Sequence, residues 1–297
     1  GNKIMTKFKK LTAVVCTAIL LSGLTGCSDA VAKLKDSNEV IFSIGKKNIT
    51  KGDVFTLMKQ NAGATTAVNE ASKAIAVAEI EVTDKMQKEA EQSLANYKSM
   101  YGDTFASYMK NNNLDEESYL KEYLIPSLQA KELTKKYIDE NFDSLVDTYK
   151  PVKATVLTFT AQADADAALA DLKGGNTDFA AVSTAHNGTG TPVSQIYTTE
   201  SSDLDALVRT IITSNKPSDP WTESPASDGA KFYVIKVDEN DASKIKDDVD
   251  TTLQKINQVS ADASTYFFKK HNFHIYDKTI YDSVKDKYPD ILVQDMK

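Results

Sequence analysis

Cysteine, arginine and histidine are scarce in this chain. Its 297 residues include two cysteines, Cys16 and Cys27, and both fall in the first 27 positions. Nothing beyond them can form a disulfide or a thiolate metal site, a composition that suits an exported protein. Arg209 is the only arginine, so bidentate phosphate recognition is not expected. No P-loop, dinucleotide fingerprint, zinc spacing or serine-nucleophile motif occurs, and no cofactor is expected. His274 lies in a segment that reads as a strand, Phe273 to Asp277, and His271 stands three residues before it. Alternation would point them to opposite faces, which argues against a metal site.

Positive charge is also short once the N-terminus is set aside. The formal net charge is −7, but the first 26 residues hold four lysines and no acid. The rest carries 31 basic and 42 acidic residues, a net of −11. An acidic body excludes nucleic acid as the expected partner, because phosphate binding needs clustered Lys and Arg. At 41% hydrophobic and 26% charged the chain is ordinary for a globular protein, and its length allows about two domains.

The N-terminal segment reads as an address, with Met5 as the expected start. Lys7, Lys9 and Lys10 precede an apolar run from Leu11 to Leu21, the length of a signal-peptide core and too short to span a bilayer. Leu24-Thr25-Gly26-Cys27 resembles the bacterial lipobox, in which the cysteine receives a diacylglycerol and becomes the mature N-terminus. Cys27 is therefore the expected lipidation site of a palmitate-type anchor, and residues 1–27 the lipoprotein signal peptide. Two or more acyl chains hold a protein stably on a membrane where one does not.

Two runs rich in β-branched and aromatic residues, Pro151 to Phe159 and Lys231 to Val237, read as strands bounding a compact module. Between them lie a helical pattern from Ala165 to Leu172, stopped by Gly174-Gly175, and a long polar connection. Helix-rich sequence flanks the module. Val40 to Thr50 reads as a strand, a turn and a helix start, with Thr50 and Asp53 as a capping pair. A separate helix is expected from about Ala71, then another capped by Thr83. Met86, Ala90, Leu94, Tyr97 and Tyr101 share one face of it, and the Tyr and Phe residues here are expected in the core. Pro126 is expected to kink the stripe of Leu120, Leu124, Leu128, Tyr137 and Ile138. After the module, Ile245, Val249, Leu253, Ile256 and Val259 recur at helical spacing.

The strand-turn-Thr-helix opening, Tyr101-Gly102-Asp103-Thr104-Phe105 and Asn113-Leu114-Asp115-Glu116-Glu117-Ser118-Tyr119-Leu120 resemble the N-terminal chaperone region of PrsA-type foldases, relatives of the SurA chaperones. The resemblance implies an α+β protein: a helical SurA/trigger-factor-like chaperone domain (28–150 plus 241–297) with an inserted parvulin-like α/β domain (151–240). It implies a chaperone or foldase on the outer face of the cell membrane that assists exported chains as they fold. Its partners would be unfolded exported proteins and, through the anchor, the membrane; a homodimer is left open.

Parvulins catalyse peptidyl-prolyl isomerisation, and the resemblance places their two histidines at Val156 and Tyr233. Their acidic position falls near Thr189, and their Met- and Phe-bearing segment falls on Ser201 to Asp205, with Leu204 the nearest apolar substitute. Valine cannot hydrogen-bond, and a phenol titrates near 10. The implied reading is a parvulin fold with lost catalysis and no catalytic residues. An active isomerase with an atypical pocket is the alternative, and a solute-binding lipoprotein a weaker one. His186 reads as a helix-end residue and Trp221 as cover for an apolar edge.

Overall fold

The computed structural model describes residues 31–294, so Cys16, Cys27 and the lipobox lie outside the described residues. In chain order the first elements are β1 (Val40–Ile44), β2 (Lys47–Thr50), α1 (Lys51–Glu79), α2 (Asp84–Asn111), α3 (Glu116–Tyr119), α4 (Ile125–Lys131), α5 (Leu133–Glu140) and α6 (Phe142–Tyr149). There follow β3 (Val152–Phe159), α7 (Gln162–Lys173), α8 (Phe179–Ala185), β4 (Ser194–Tyr197), α9 (Ala206–Ser214), β5 (Thr222–Pro225) and β6 (Phe232–Glu239). The last helices are α10 (Lys246–Leu253), α11 (Asn257–Lys270) and α12 (Lys278–Lys287). The fold is helical domains with an α/β domain among them. Its contacts form two compact units, Gly1–Ser72 with Phe268–Lys297, and Lys73–Phe267.

In the first unit β1 and β2 form an antiparallel hairpin around Gly45-Lys46, and Gly45 takes the φ of 59° that so short a loop demands. Thr50 and Asp53 cap α1 reciprocally: the Asp53 N–H donates to Thr50 Oγ1 at 3.1 Å and the Thr50 N–H to Asp53 Oδ2 at 2.9 Å. The helix then runs unbroken to Glu79, without the separate start expected near Ala71. Its second half is rich in alanine and holds no Gly or Pro after Gly63, so nothing interrupts it. Asp277 caps α12 through the Ile280 N–H. It also takes the ammonium of buried Lys59 at 2.8 Å and the Ala32 N–H at 2.7 Å, while Lys59 reaches the Ala32 carbonyl oxygen at 3.3 Å.

Phe273 to Asp277 is not a strand. The Gln294 amide occupies the place of a pairing partner, accepting from the Ile275 N–H at 2.5 Å and donating to its carbonyl at 3.1 Å.

In the second unit Thr83 caps α2, which kinks at Gly102 (φ 46°, ψ −122°). Ahead of Pro126 the helix widens into a π turn, Leu120–Leu124, which accommodates the missing N–H of the proline. The return segment is two helices, α10 and α11, where a single apolar stripe was expected. Its Val249, Leu253 and Val259 bury against Ile138, Leu145 and Tyr149 of α5 and α6. Lys135 of α5 bridges Asp139 and buried Asp250 of α10, each at 3.0 Å.

The module from 151 to 240 lies wholly in this unit. Its sheet has the order β4-β3-β6-β5, all antiparallel. Leu157, Phe159 and Val234 face α7 and α8, whereas Ala154, Ile235 and Val237 face α9, so the sheet is covered on both sides. Beyond the helix that the resemblance implied around Phe179, now α8, the connection read as polar contains β4, α9 and β5.

Candidate functional site

A groove of about 790 Å³ opens on the α9 side of the sheet. β3 supplies Val156 and Thr158, and β6 supplies Tyr233, which pairs across the ladder with Thr158. Thr189 also lines the groove, as does Leu204, which packs on the core beside Val208 of α9. The four positions singled out from the sequence, Val156, Thr189, Leu204 and Tyr233, therefore line one groove. Val156, Leu204 and Tyr233 are only half-buried and pack on the α9-side core.

Local hydrogen bonds set the rim. The Thr189 N–H donates to the Thr158 carbonyl at 2.8 Å, tying the glycine-containing loop to the end of β3. Arg209 donates to the carbonyls of Thr199 and Ser201 at 2.8 and 2.7 Å, which fixes the loop carrying Leu204. Asp205 caps α9 through the Leu207 N–H and accepts from the Ser227 N–H and hydroxyl. The Ser227 N–H and then the helix-end amides hold its carboxyl below the usual range, so it stays a committed acceptor. Burial, and then the charges of Asp205 and Asp228, raise the Tyr233 phenol, which is a neutral hydroxyl at neutral pH.

Neither histidine nor cysteine is among the described residues that line the groove. His186 caps the C-terminus of α8, and its Nε2 meets Asp171 Oδ2 at 2.5 Å. Trp221 packs half-buried against Phe179 on the other face of the sheet. The groove's lining is mixed: Val156, Leu204 and Val208 are joined by hydroxyls and by the charged Glu200, Asp203, Asp205 and Lys255. Reading from sequence missed Gln195, Glu200 and Lys255, which also line the groove, and gave Asp205 only as the end of the Ser201 to Asp205 segment. A signal existed for α9: Asp205 stands as an N-cap before Val208, Ile211 and Ile212 at helical spacing.

A second feature corrects the expectation that the helix aromatics are core. Phe105 is buried at 8% exposure, but Tyr101 is 54% exposed, and Tyr108 and Tyr123 are 46% each. The rings form one cluster: Tyr97 to Phe105 at 6.0 Å, Phe105 to Tyr119 at 5.2 Å and Tyr119 to Tyr123 at 5.6 Å between centroids. Met100, 69% exposed, precedes the Gly102 kink, and Lys73 sits 5.2 Å over the Tyr123 ring.

No family model matches the chain. The foldase protein PrsA of Streptococcus sanguinis is 23% identical over 279 residues, 88% of this chain and 80% of that one. The foldase protein PrsA 1 of Listeria monocytogenes is 30% identical over 146 residues, 49% of this chain and 45% of that one. This chain is a relative of the PrsA foldases. Among solved structures, a peptidylprolyl isomerase (PrsA) from Bacillus cereus has a TM-score of 0.46 at 17% identity over 88% of this chain and 100% of that one. PrsA from Bacillus subtilis has a TM-score of 0.36 at 19% identity, covering 86% and 99%. Val156 and Tyr233, the two positions that the sequence resemblance set against the parvulin histidines, both line this groove.

Proposed function

We propose that the protein is a membrane-anchored extracytoplasmic chaperone of the PrsA kind that holds exported chains while they fold. In this reading its parvulin-like module binds peptide without isomerising it. The exposed aromatic cluster around Phe105 carries the proposal. Four tyrosines left half-exposed around one buried ring are an unusual use of apolar surface unless something covers them in turn. Lost catalysis is part of this reading because valine and tyrosine stand where the resemblance puts the two histidines. The anchor is Cys27, and the partners are unfolded exported proteins.

The test is suppression of client aggregation by the chain from Ser28. Tyr101→Ser with Tyr108→Ser and Tyr123→Ser should abolish suppression while leaving thermal unfolding within a few degrees of the parent. Full suppression by that variant, or none by the parent at molar excess over several clients, would refute the holding surface.

The Tyr233 hydroxyl, at the groove wall, gives a second reading as an atypical isomerase. A protease-coupled proline-peptide assay decides between them: a rate above background that is lost on Tyr233→Phe would restore catalysis to the site. A solute-binding lipoprotein is not favoured, since the one four-stranded sheet is wholly antiparallel and lacks parallel strand-helix repeats.

A further inference from the structure

In the first unit, β1 is exposed along its whole length. Ile41, Phe42 and Ile44 are 54%, 55% and 73% exposed, and Val40 beside them is 49%. A two-stranded hairpin has no interior of its own, and this one presents consecutive large apolar side chains to solvent. Its tip carries Lys46 and Lys47, both exposed. Between residues 31 and 51 there are five lysines and two acids, in a body whose net charge is −11. Apolar side chains beside a basic tip, on an acidic protein, are the chemistry of a segment that lies in an anionic bilayer surface.

The chain geometry delivers the hairpin to such a surface. Ala32 is clamped between Asp277 and Lys59, both only 5% exposed. It stands five positions after Cys27, so even fully extended the intervening chain reaches roughly 18 Å. The hairpin joins α1 at Lys51, and Lys59 lies about 12 Å further along that helix at 1.5 Å per residue. The strand's approach is fixed at the same place, where the Gly52 N–H donates to the Ser37 carbonyl at 2.8 Å and the Lys51 N–H to that of Glu39. A lipid on Cys27 therefore holds the root of the hairpin within a short chain's reach of the headgroups. No described helix is long and apolar enough to cross a membrane, so contact would be at the surface.

We infer that the β1–β2 hairpin is a second membrane contact, with Ile41, Phe42 and Ile44 entering the interface and Lys46 and Lys47 meeting anionic headgroups. The inference rests on the lipid anchor at Cys27 for its geometry, and the experiment separates the two. Hydrogen exchange is read for residues 40–44 in the lipidated chain on phosphatidylglycerol-rich vesicles and on phosphatidylcholine vesicles, with the lipid on Cys27 verified by mass. The chain from Ser28, which retains every described residue, is co-sedimented with the same two vesicles.

The expected result is slowed exchange at 40–44 on the anionic vesicles, together with measurable partitioning of the unlipidated chain. Lys46→Glu with Lys47→Glu, confined to an exposed turn, should weaken that partitioning by about 30-fold or more. Unchanged exchange on anionic vesicles with Cys27 lipidated would overturn the inference. Protection that rises with protein concentration in the absence of lipid would overturn it too, by assigning the hairpin to a second copy of the chain. A Cys27 found without lipid removes the anchor alone, and the unlipidated chain then decides the hairpin's role.

Discussion

Replacing Asp277 by alanine removes one carboxylate with three duties. It accepts from Lys59, from the Ala32 N–H and from the Ile280 N–H that opens α12. Burial works against the charge of Asp277, but the bonds from Lys59, Ile280 and Ala32 outweigh it and hold its pKa below the ordinary value. Its contribution is complete above about pH 4, the unfolded value, and is lost as pH falls through the depressed folded one. In Asp277→Ala the Lys59 ammonium remains buried with its carboxylate gone, left with a 3.3 Å bond to the Ala32 carbonyl and the face of the Phe55 ring. Orphaning a buried ion costs about 3–5 kcal/mol, and the lost helix cap adds about 1 kcal/mol that overlaps with it. Against a total stability of roughly 5–15 kcal/mol, the first unit should lose much of its protection. Hydrogen exchange of α1 and α12 amides in the variant, with β3 and β6 as internal reference, reads the loss where it occurs. Lys59→Met combined with Asp277→Asn should recover most of it, since a removed pair costs less than a broken one. A cost below about 1 kcal/mol for Asp277→Ala, or a double variant as unstable as the single, would refute the clamp.

Two further predictions concern the module. Burial, and then the hydrogen bond and charge of Asp166, raise Glu223 to about 7. The folded state therefore keeps a proton that the unfolded chain releases near 4.5, and stability should fall as pH rises from about 4.5 to 7, by on the order of 1–2 kcal/mol. Melting temperature against pH should show this fall in the parent and flatten in Glu223→Gln; an unchanged slope would remove the carboxyl pair as its source. At Gly188 an added Cβ would sit 2.0 Å from Ser183 Oγ and 2.8 Å from the Ser183 carbonyl oxygen. Gly188→Ala should cost about 1–3 kcal/mol in urea unfolding, and only part should return with Ser183→Ala because the carbonyl cannot retreat. Full rescue would place the strain in the side chain alone.

The strands that frame the module were readable because β3 and β6 are long β-branched runs buried on both faces. β5 was not readable. Thr222-Glu223-Ser224-Pro225 has no apolar pattern and is a strand only because the edge of β6 pairs with it. The groove positions were found through family resemblance, whereas Gln195 and Lys255 needed the folded chain to bring them near. Periodicity correctly placed Met86, Ala90 and Leu94 on a buried face of α2. It could not say that Tyr101, on the same stripe, would be left uncovered, because that depends on what other elements pack there. Phe273 to Asp277 has a strand's alternation, yet its backbone is served by a glutamine about twenty residues away, which no local pattern announces.

The register of the module's sheet places Lys153 opposite Glu239, so the chain leaves the helical frame and returns to it at one point. Before the module folds, Val249 must find Leu145 across about 100 intervening residues. Afterwards the path through the paired Lys153 and Glu239 is about twenty residues. At (3/2)RT ln n, that shortening lowers the closure cost of the surrounding helices by roughly 1.5 kcal/mol. Whatever it binds or catalyses, the module would act as a folding staple, and deleting it without a short bridge between residues 150 and 241 would weaken helices it does not cover.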